Sequence, residues 1–418
     1  MSGLARFLRG FFAACILLTL PLGSAVAQEK LKIGFGLGLT GPLAANGKAA
    51  LISMQIWQEE VNARGGLLGR PVELVYYDDQ GSPANAPGIY AKLLDVDKVD
   101  LVVSGYGTNM ITPALPLVMQ KGMTMMSLIG LNANERFNYD RYFQIAPLGE
   151  DPADAFSRGY FDLAEGMNPK PATVAILGAD AEFGQLALEG ARRQAKRLGF
   201  KIVFDRVYPP STVDFSPIVR AMKATNPDFV FLASYPIDSV GIIRAVNEQG
   251  LTTGMFGGGM IGPQFAAIRA QLGPLLNGVV GYELYVPEPT VDFPFIKEFL
   301  SKYTTRAAQE KIDPLGFYLP PYAYAAMQVI EQSVKAVGSL DQARLAKHMH
   351  EATFDTAVGK IKFAKNGEWE KDRILYVQYR GIEGSDLDQW RKAGRALVLW
   401  PLTLKSGDLK YPYSTGKM

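Results

Sequence analysis

The chain has 418 residues, 48% hydrophobic and 20% charged, with 43 Lys and Arg against 41 Asp and Glu and a single cysteine. That length exceeds what one core organises, so two or three domains are expected, and the apolar and aromatic content argues against a disordered chain. A formal charge of +2 creates no basic field for phosphate backbones, so nucleic acid is not expected as a partner.

At the amino terminus, Arg6 and Arg9 precede an apolar run from Phe11 to Leu22, followed by Gly23-Ser24-Ala25-Val26-Ala27. Small residues at the two positions a signal peptidase reads predict a signal peptide, residues 1–27, cleaved after Ala27. The run is shorter than the roughly 20 residues of a spanning helix. Cleavage there removes Cys15, the only cysteine, and leaves basic and acidic side chains equal in number. Lipid attachment at Cys15 is the weaker reading, because most of the apolar run would then follow the cut. A chain without disulfides or thiolate chemistry fits an oxidising bacterial periplasm and must draw its stability from a large packed core.

Strands and helices then alternate. Leu31 to Leu37 reads as a strand, and Ala44 to Arg64 as a helix with apolar positions at Ala45, Ala49, Ile52, Ile56 and at Ala50, Met54, Trp57, Val61, a helical period with a wide buried face. Val72 to Tyr77, Val99 to Ser104 and Met123 to Ser127 read as strands, with helices over Pro87 to Asp95 and Pro113 to Lys121. A second series follows: strands at Thr173 to Leu177, Lys201 to Val207 and Phe229 to Ala233, and helices at Gln185 to Leu198, Phe215 to Ala224 and Ile237 to Gln249. The alternation predicts an α/β fold of two doubly wound parallel sheets, with a crossing near Ala146 to Pro152. From Phe293 the chain is helical again, and Gly359 to Phe363 and Leu375 to Tyr379 flank Asn366-Gly367 as a hairpin. The tail from Asp386 suggests no definite role.

Few motifs carry catalytic chemistry. Gly36-Leu37-Gly38-Leu39-Thr40-Gly41 matches a dinucleotide fingerprint, but Glu59 and Glu60, at the right distance for the ribose acid, fall inside the first helix. His348 and His350, the only histidines, are two apart on a helix and face different ways, so no metal site is expected. Without cysteine or Gly-x-Ser-x-Gly, the common nucleophile and base pairs are missing. Asp78 and Asp79, adjacent on a strand, read as loop caps rather than a catalytic pair. Thr108, in Ser104-Gly105-Tyr106-Gly107-Thr108-Asn109, sits where a helix begins; such a hydroxyl beside unpaired N–H groups is either a carboxylate clamp or a plain helix cap.

An ordered series of motifs resembles the leucine/isoleucine/valine-binding protein family, periplasmic solute-binding proteins of ABC transporters. Its members are Leu39-Thr40-Gly41-Pro42 with Asn46-Gly47, the stretch from Val61-Asn62-Ala63-Arg64-Gly65-Gly66 to Asp78-Asp79, Phe183-Gly184, Asp214-Phe215-Ser216-Pro217, Asn226-Pro227-Asp228, Tyr322-Ala323-Tyr324, and Gly359-Lys360-Ile361 with Asn366-Gly367. The resemblance implies a type 1 periplasmic binding fold: two Rossmann-like lobes joined by three crossing strands, closing around solute by a hinge motion. Lobe 1 is expected over 30–147 plus 284–356 and lobe 2 over 148–283 plus 357–385, with 386–418 as a C-terminal extension. It also implies a small-molecule solute, a membrane permease as partner, a monomer, no cofactor and no turnover.

Carried over singly, the family's carboxylate-binding hydroxyl falls on Thr108, its backbone donors on Ile129, Gly130, Leu131 and Asn132, and its second-lobe aromatics on Phe183 and Tyr235. Asn46 replaces the first-loop aromatic. The acid that holds an α-ammonium falls on Gly259, in Phe256-Gly257-Gly258-Gly259-Met260, where three glycines imply room for a bulkier solute. An ammonium without that partner would be a costly buried charge, so an aromatic or other non-amino-acid carboxylate is expected unless Asp238 or Glu182 restores the charge. An amino-acid or amide binder of the same family and a sensory module are the alternatives.

Overall fold

The computed structural model describes residues 29–415; the expected signal peptide lies outside them. In chain order the first sheet and its helices are β1 (Leu31–Leu37), α1 (Ala44–Ala63), β2 (Val72–Asp78), α2 (Ala86–Asp95), β3 (Leu101–Tyr106), α3 (Thr108–Gln120), β4 (Met125–Leu128) and β5 (Tyr142–Gln144). The second series is α4 (Pro152–Glu165), β6 (Thr173–Ala179), α5 (Glu182–Leu198), β7 (Lys201–Tyr208), α6 (Ser216–Ala224), β8 (Phe229–Ser234), α7 (Pro236–Glu248), β9 (Thr252–Thr253), β10 (Met255–Met260), α8 (Ala266–Leu272) and β11 (Val280–Glu283). Then come α9 (Ile296–Glu310), α10 (Leu319–Val337), α11 (Gln342–Glu351), β12 (Thr353–Thr356), β13 (Gly359–Lys362), β14 (Leu375–Tyr379), β15 (Ala396–Trp400) and β16 (Tyr413–Ser414).

Two sheets result. The first runs β2-β1-β3-β4-β5, parallel throughout. The second runs β15-β14-β11-β10-β8-β6-β7, parallel from β11 to β7, with β14 and β15 antiparallel. In both, strand order reverses beside the first strand of the series, between β1 and β3 and between β6 and β8. In such sheets the crevice beyond the carboxyl ends of those strands is where ligands belong.

Helix α1 buries every apolar position of its predicted face except Ala45, which is exposed. Its Trp57 is wholly buried, and its indole N–H donates to Glu331 Oε2 of α10 at 2.8 Å. Each such large side chain contributes roughly 1.5–3 kcal/mol by leaving water, and α9 and α10 pack on α1 to complete the first lobe from late in the chain.

The crossings between lobes are laced together. Gln144 N–H donates to Gly367 O and Arg373 N–H to Pro147 O, both at 2.8 Å, and Leu148 bridges Asp372. The Asn366-Gly367 turn forms, with Gly367 N–H on Ala364 O at 3.0 Å, and a short antiparallel hairpin closes over it with Phe363 bridging Trp369, but Leu375 to Tyr379 is not its second strand. β13 pairs with β12 and β14 with β11, because the chain leaving the turn is held by the hinge partners just named. The tail, from which the sequence suggests nothing, supplies the edge strand β15 and pairs β16 with β9. No helix of the described residues is long and apolar enough to cross a membrane.

Candidate functional site

The strand ends of the two sheets face each other across a cavity of about 570 Å³, within the range of small-molecule sites. From the first lobe its wall takes Pro42 and Leu43 after β1, Tyr106 to Met110 around the start of α3, and Ile129 to Leu131 after β4. The second lobe supplies Phe156 of α4, Ala181 and Phe183 after β6, Pro210 to Val213 after β7, and Tyr235 to Asp238 at the start of α7. Tyr282, Leu284 and Tyr318 close the hinge side. No Lys, Arg or His stands in this wall.

Periodicity alone predicts the helical stretch over Pro113 to Lys121, with Thr108 at or before its start. The helix begins at Thr108 and contains Pro113 and Pro116. Gly107 is its cap, at φ 95°, ψ 150°, a backbone conformation that glycine adopts without strain. Thr108 is therefore the first helical residue and not the cap. The N–H groups of Met110 and Ile111 both reach Gly107 O. Those of Thr108 and Asn109 make no hydrogen bond among the described residues, as the free donors of a helix start. Thr108 is buried, and its Oγ1 accepts from Leu131 N–H at 2.8 Å, which leaves its hydroxyl proton free to donate.

Thr108, Ile129, Gly130, Leu131, Phe183 and Tyr235 all line the cavity; three residues expected there do not. Asn46 lies buried in the first turn of α1, below Leu43, with neither amide atom hydrogen-bonded among the described residues. Asn132 is turned away: its Oδ1 accepts from Ala153 N–H at 2.9 Å and its amide donates to Glu135 at 2.6 Å, so it fastens the loop to α4. Gly259 is covered by Phe156, since a Cβ there would stand 2.5 Å from Phe156 Cε1. The glycines of β10 open no room either. A Cβ on Gly258 would meet Phe231 at 2.6 Å, and one on Gly257 the Val280 carbonyl at 1.9 Å. Close strand and ring packing occupies the space the missing side chains suggested.

Of the two acids considered as substitutes, Asp238 lines the cavity and Glu182 does not. Asp238 is buried and accepts from the Tyr208 hydroxyl; burial raises its pKa. The glycine loop after β1 is also answered. Asp78 Oδ1 accepts from the N–H groups of Leu39 and Thr40, and Oδ2 from the Thr40 hydroxyl at 2.6 Å. The donors a nucleotide phosphate would need are thus occupied by an internal carboxylate. Asp79, buried beneath that loop, accepts from Gly81 N–H at 2.8 Å, and burial pushes its pKa up to about 6.

Two features escaped the sequence reading. Asn109 Oδ1 accepts from the Tyr235 hydroxyl at 3.1 Å and from Phe183 N–H at 3.3 Å, clasping one lobe to the other at the cavity wall. Phe183 stands edge-on between Phe156 and Tyr235, at 5.7 and 5.5 Å between ring centroids. At the hinge side, the hydroxyls of Tyr106, Tyr318 and Tyr282 form a chain, 3.0 Å per link. Helix-start numbering alone could have raised Asn109, next to Thr108; the tyrosines come from three separate segments and gave no local signal.

Residues 30–378 match the family model described as periplasmic binding protein. The chain is 24% identical over 358 residues to the leucine-, isoleucine-, valine-, threonine- and alanine-binding protein of Pseudomonas aeruginosa, covering 83% of this chain and 92% of that one. It is 24% identical over 366 residues to Leu/Ile/Val-binding protein homolog 1 of Brucella suis, covering 87% and 93%. Among solved structures, it resembles the branched-chain amino acid transporter substrate-binding protein of Streptococcus pneumoniae in complex with isoleucine (TM-score 0.73, 18% identity, 89% and 100% covered). It also resembles a solute-binding protein of an ABC transporter from Rhodopseudomonas palustris in complex with 3,4-dihydroxybenzoic acid (TM-score 0.70, 18% identity, 85% and 94% covered). With two doubly wound lobes facing each other across a cleft, this chain belongs to the periplasmic binding protein family, beside the Leu/Ile/Val-binding proteins.

Proposed function

We propose that the protein is the periplasmic receptor of an ABC importer and holds a small carboxylate with an apolar, ring-bearing body in the interlobe cavity. The observation that carries this reading is the start of α3. There a buried hydroxyl with a free proton and two unpaired N–H groups stand at the positive end of a helix dipole, an arrangement suited to an anion. The rest of the wall is mainly apolar and aromatic, which suits a ring. The position for an ammonium partner is Gly259, sealed beneath Phe156. In this reading the solute touches Thr108, Ile129 and Gly130 with its carboxylate and Phe183 and Tyr235 with its body, while Leu131, expected as a donor, lines the cavity with its N–H spent on Thr108 Oγ1. The signal peptide is cut after Ala27, and the receptor acts as a monomer that delivers solute to a membrane permease without turning it over.

A second reading, an amino-acid solute, draws on Asp238, an acid in the cavity wall, and on the isoleucine bound by the S. pneumoniae relative. The R. palustris relative with its dihydroxybenzoate supports the first. A thermal-shift screen with benzoate-type acids, their amides, leucine and valine separates them, because solute at about 100 times Kd adds roughly 2.7 kcal/mol. Stabilisation by the acids, and by neither the amides nor leucine, is expected. Stabilisation by leucine or valine alone refutes the carboxylate reading.

A further inference from the structure

We propose that the tyrosine chain at the hinge side reads an oxygen atom on the body of the solute, so that the receptor selects a hydroxylated ring acid over the same acid without the hydroxyl. The proposal rests on the carboxylate reading above and adds the second polar contact that reading lacks.

It follows from counting protons. Tyr106 ends β3 in the first lobe, Tyr318 caps α10, and Tyr282 lies on β11 in the second lobe. All three rings line the cavity and are nearly inaccessible otherwise. Tyr106 donates to Tyr318, and Tyr318 and Tyr282 share one proton between them. Three hydroxyls bring three protons, and two links use two. None of the three makes a further hydrogen bond among the described residues, so one O–H, on Tyr318 or Tyr282, has no acceptor. A buried donor left unmet is unfavourable, and buried polar groups are as a rule paired. The cavity is the space these rings share, and an oxygen of the solute there completes the chain. Burial holds all three phenols well above their usual pKa, so they remain donors at neutral pH. A carboxylate at the start of α3 and an oxygen acceptor at the tyrosines then fix both ends of one solute.

The test is calorimetric titration of the purified protein with benzoate and with 2-, 3- and 4-hydroxybenzoate, repeated on the double variant Tyr282→Phe with Tyr318→Phe. One hydroxybenzoate is expected to bind about tenfold more tightly than benzoate. In the double variant the ratio of affinities between that hydroxybenzoate and benzoate falls to about one. Equal affinities for all four acids in the unaltered protein overturn the tyrosine proposal and leave the carboxylate reading standing, and that comparison requires no variant to fold. A gap that persists in the double variant, or a parallel loss for all four acids, also overturns it, the latter marking a purely structural role. Binding of none of the acids, with leucine bound instead, overturns the carboxylate reading and this proposal together.

Discussion

Replacing Thr108 with Val keeps the shape of the side chain and exchanges its hydroxyl for a methyl group, with two separable costs. The oxygen accepts from Leu131 N–H at 2.8 Å, and both residues are 2% exposed. Valine leaves that N–H buried without a partner, at about 1–3 kcal/mol of folding stability. In the proposed reading the hydroxyl proton meets the solute's carboxylate; a hydrogen bond to a charged group is worth about 1.5–3 kcal/mol, which is about 10- to 150-fold in Kd. Thr108→Ser preserves both bonds and loses only a methyl group, about 0.8 kcal/mol of burial. Urea unfolding without solute and calorimetry with the tightest acid of the screen measure the two costs independently. The expected order is unaltered protein, then Ser, then Val by a wide margin, in both assays. A Val variant that unfolds earlier yet binds within about threefold would place the carboxylate elsewhere. A Ser variant as weak as Val would show that the methyl, not the hydroxyl, matters.

Three further outcomes are expected. The Asn109–Tyr235 clasp predicts that Asn109→Ala and Tyr235→Phe are coupled by about 0.5–1.5 kcal/mol in a double-mutant cycle on solute affinity; strictly additive losses would mean the 3.1 Å contact contributes nothing to closure. Gly259→Asp, which restores the family's acid, is expected to destabilise the protein by at least about 1–3 kcal/mol through its collision with Phe156 and to confer no leucine binding; leucine protecting this variant against heat would contradict that. Asp79 binds its proton more tightly folded, with a pKa of about 6 against 3.8, so the folded state carries the extra proton between these values and stability falls as pH rises through them. The difference in urea midpoint between the unaltered protein and Asp79→Asn should therefore slope downward from pH 3.8 to about 6 and flatten above; a flat difference throughout would rule out the raised pKa.

Local periodicity made most of the scaffold legible. β1 and the two series of strands and helices follow from alternation, and the loop at Thr108 follows from where such sheets end; Ile129 to Leu131, Phe183 and Tyr235 rest on the family resemblance. What escaped was non-local. β14 follows a strong turn signal, and only the geometry of the hinge shows that its partner is β11 and not its neighbour in sequence. Gly259 was misread because a glycine reports a missing side chain and not who fills the space, here Phe156 from another element. Asn132 has the donors a ligand loop needs, but α4 takes its acceptor. The tyrosine chain draws on residues 106, 282 and 318, a convergence that no window along the chain contains.

The late arrival of α9, α10 and β15 has a consequence for the order of folding. The first sheet has all its strands by Gln144, yet the helices that cover α1 come from Ile296–Val337, after the second sheet is under way. The second sheet in turn waits for Ala396–Trp400 to cover β14. Neither lobe can finish its core from a contiguous stretch of chain, so each depends on contacts closed over very long loops, the kind that slow folding. The two lobes should then lock together in one late step, once nearly the whole chain is present, and not one after the other.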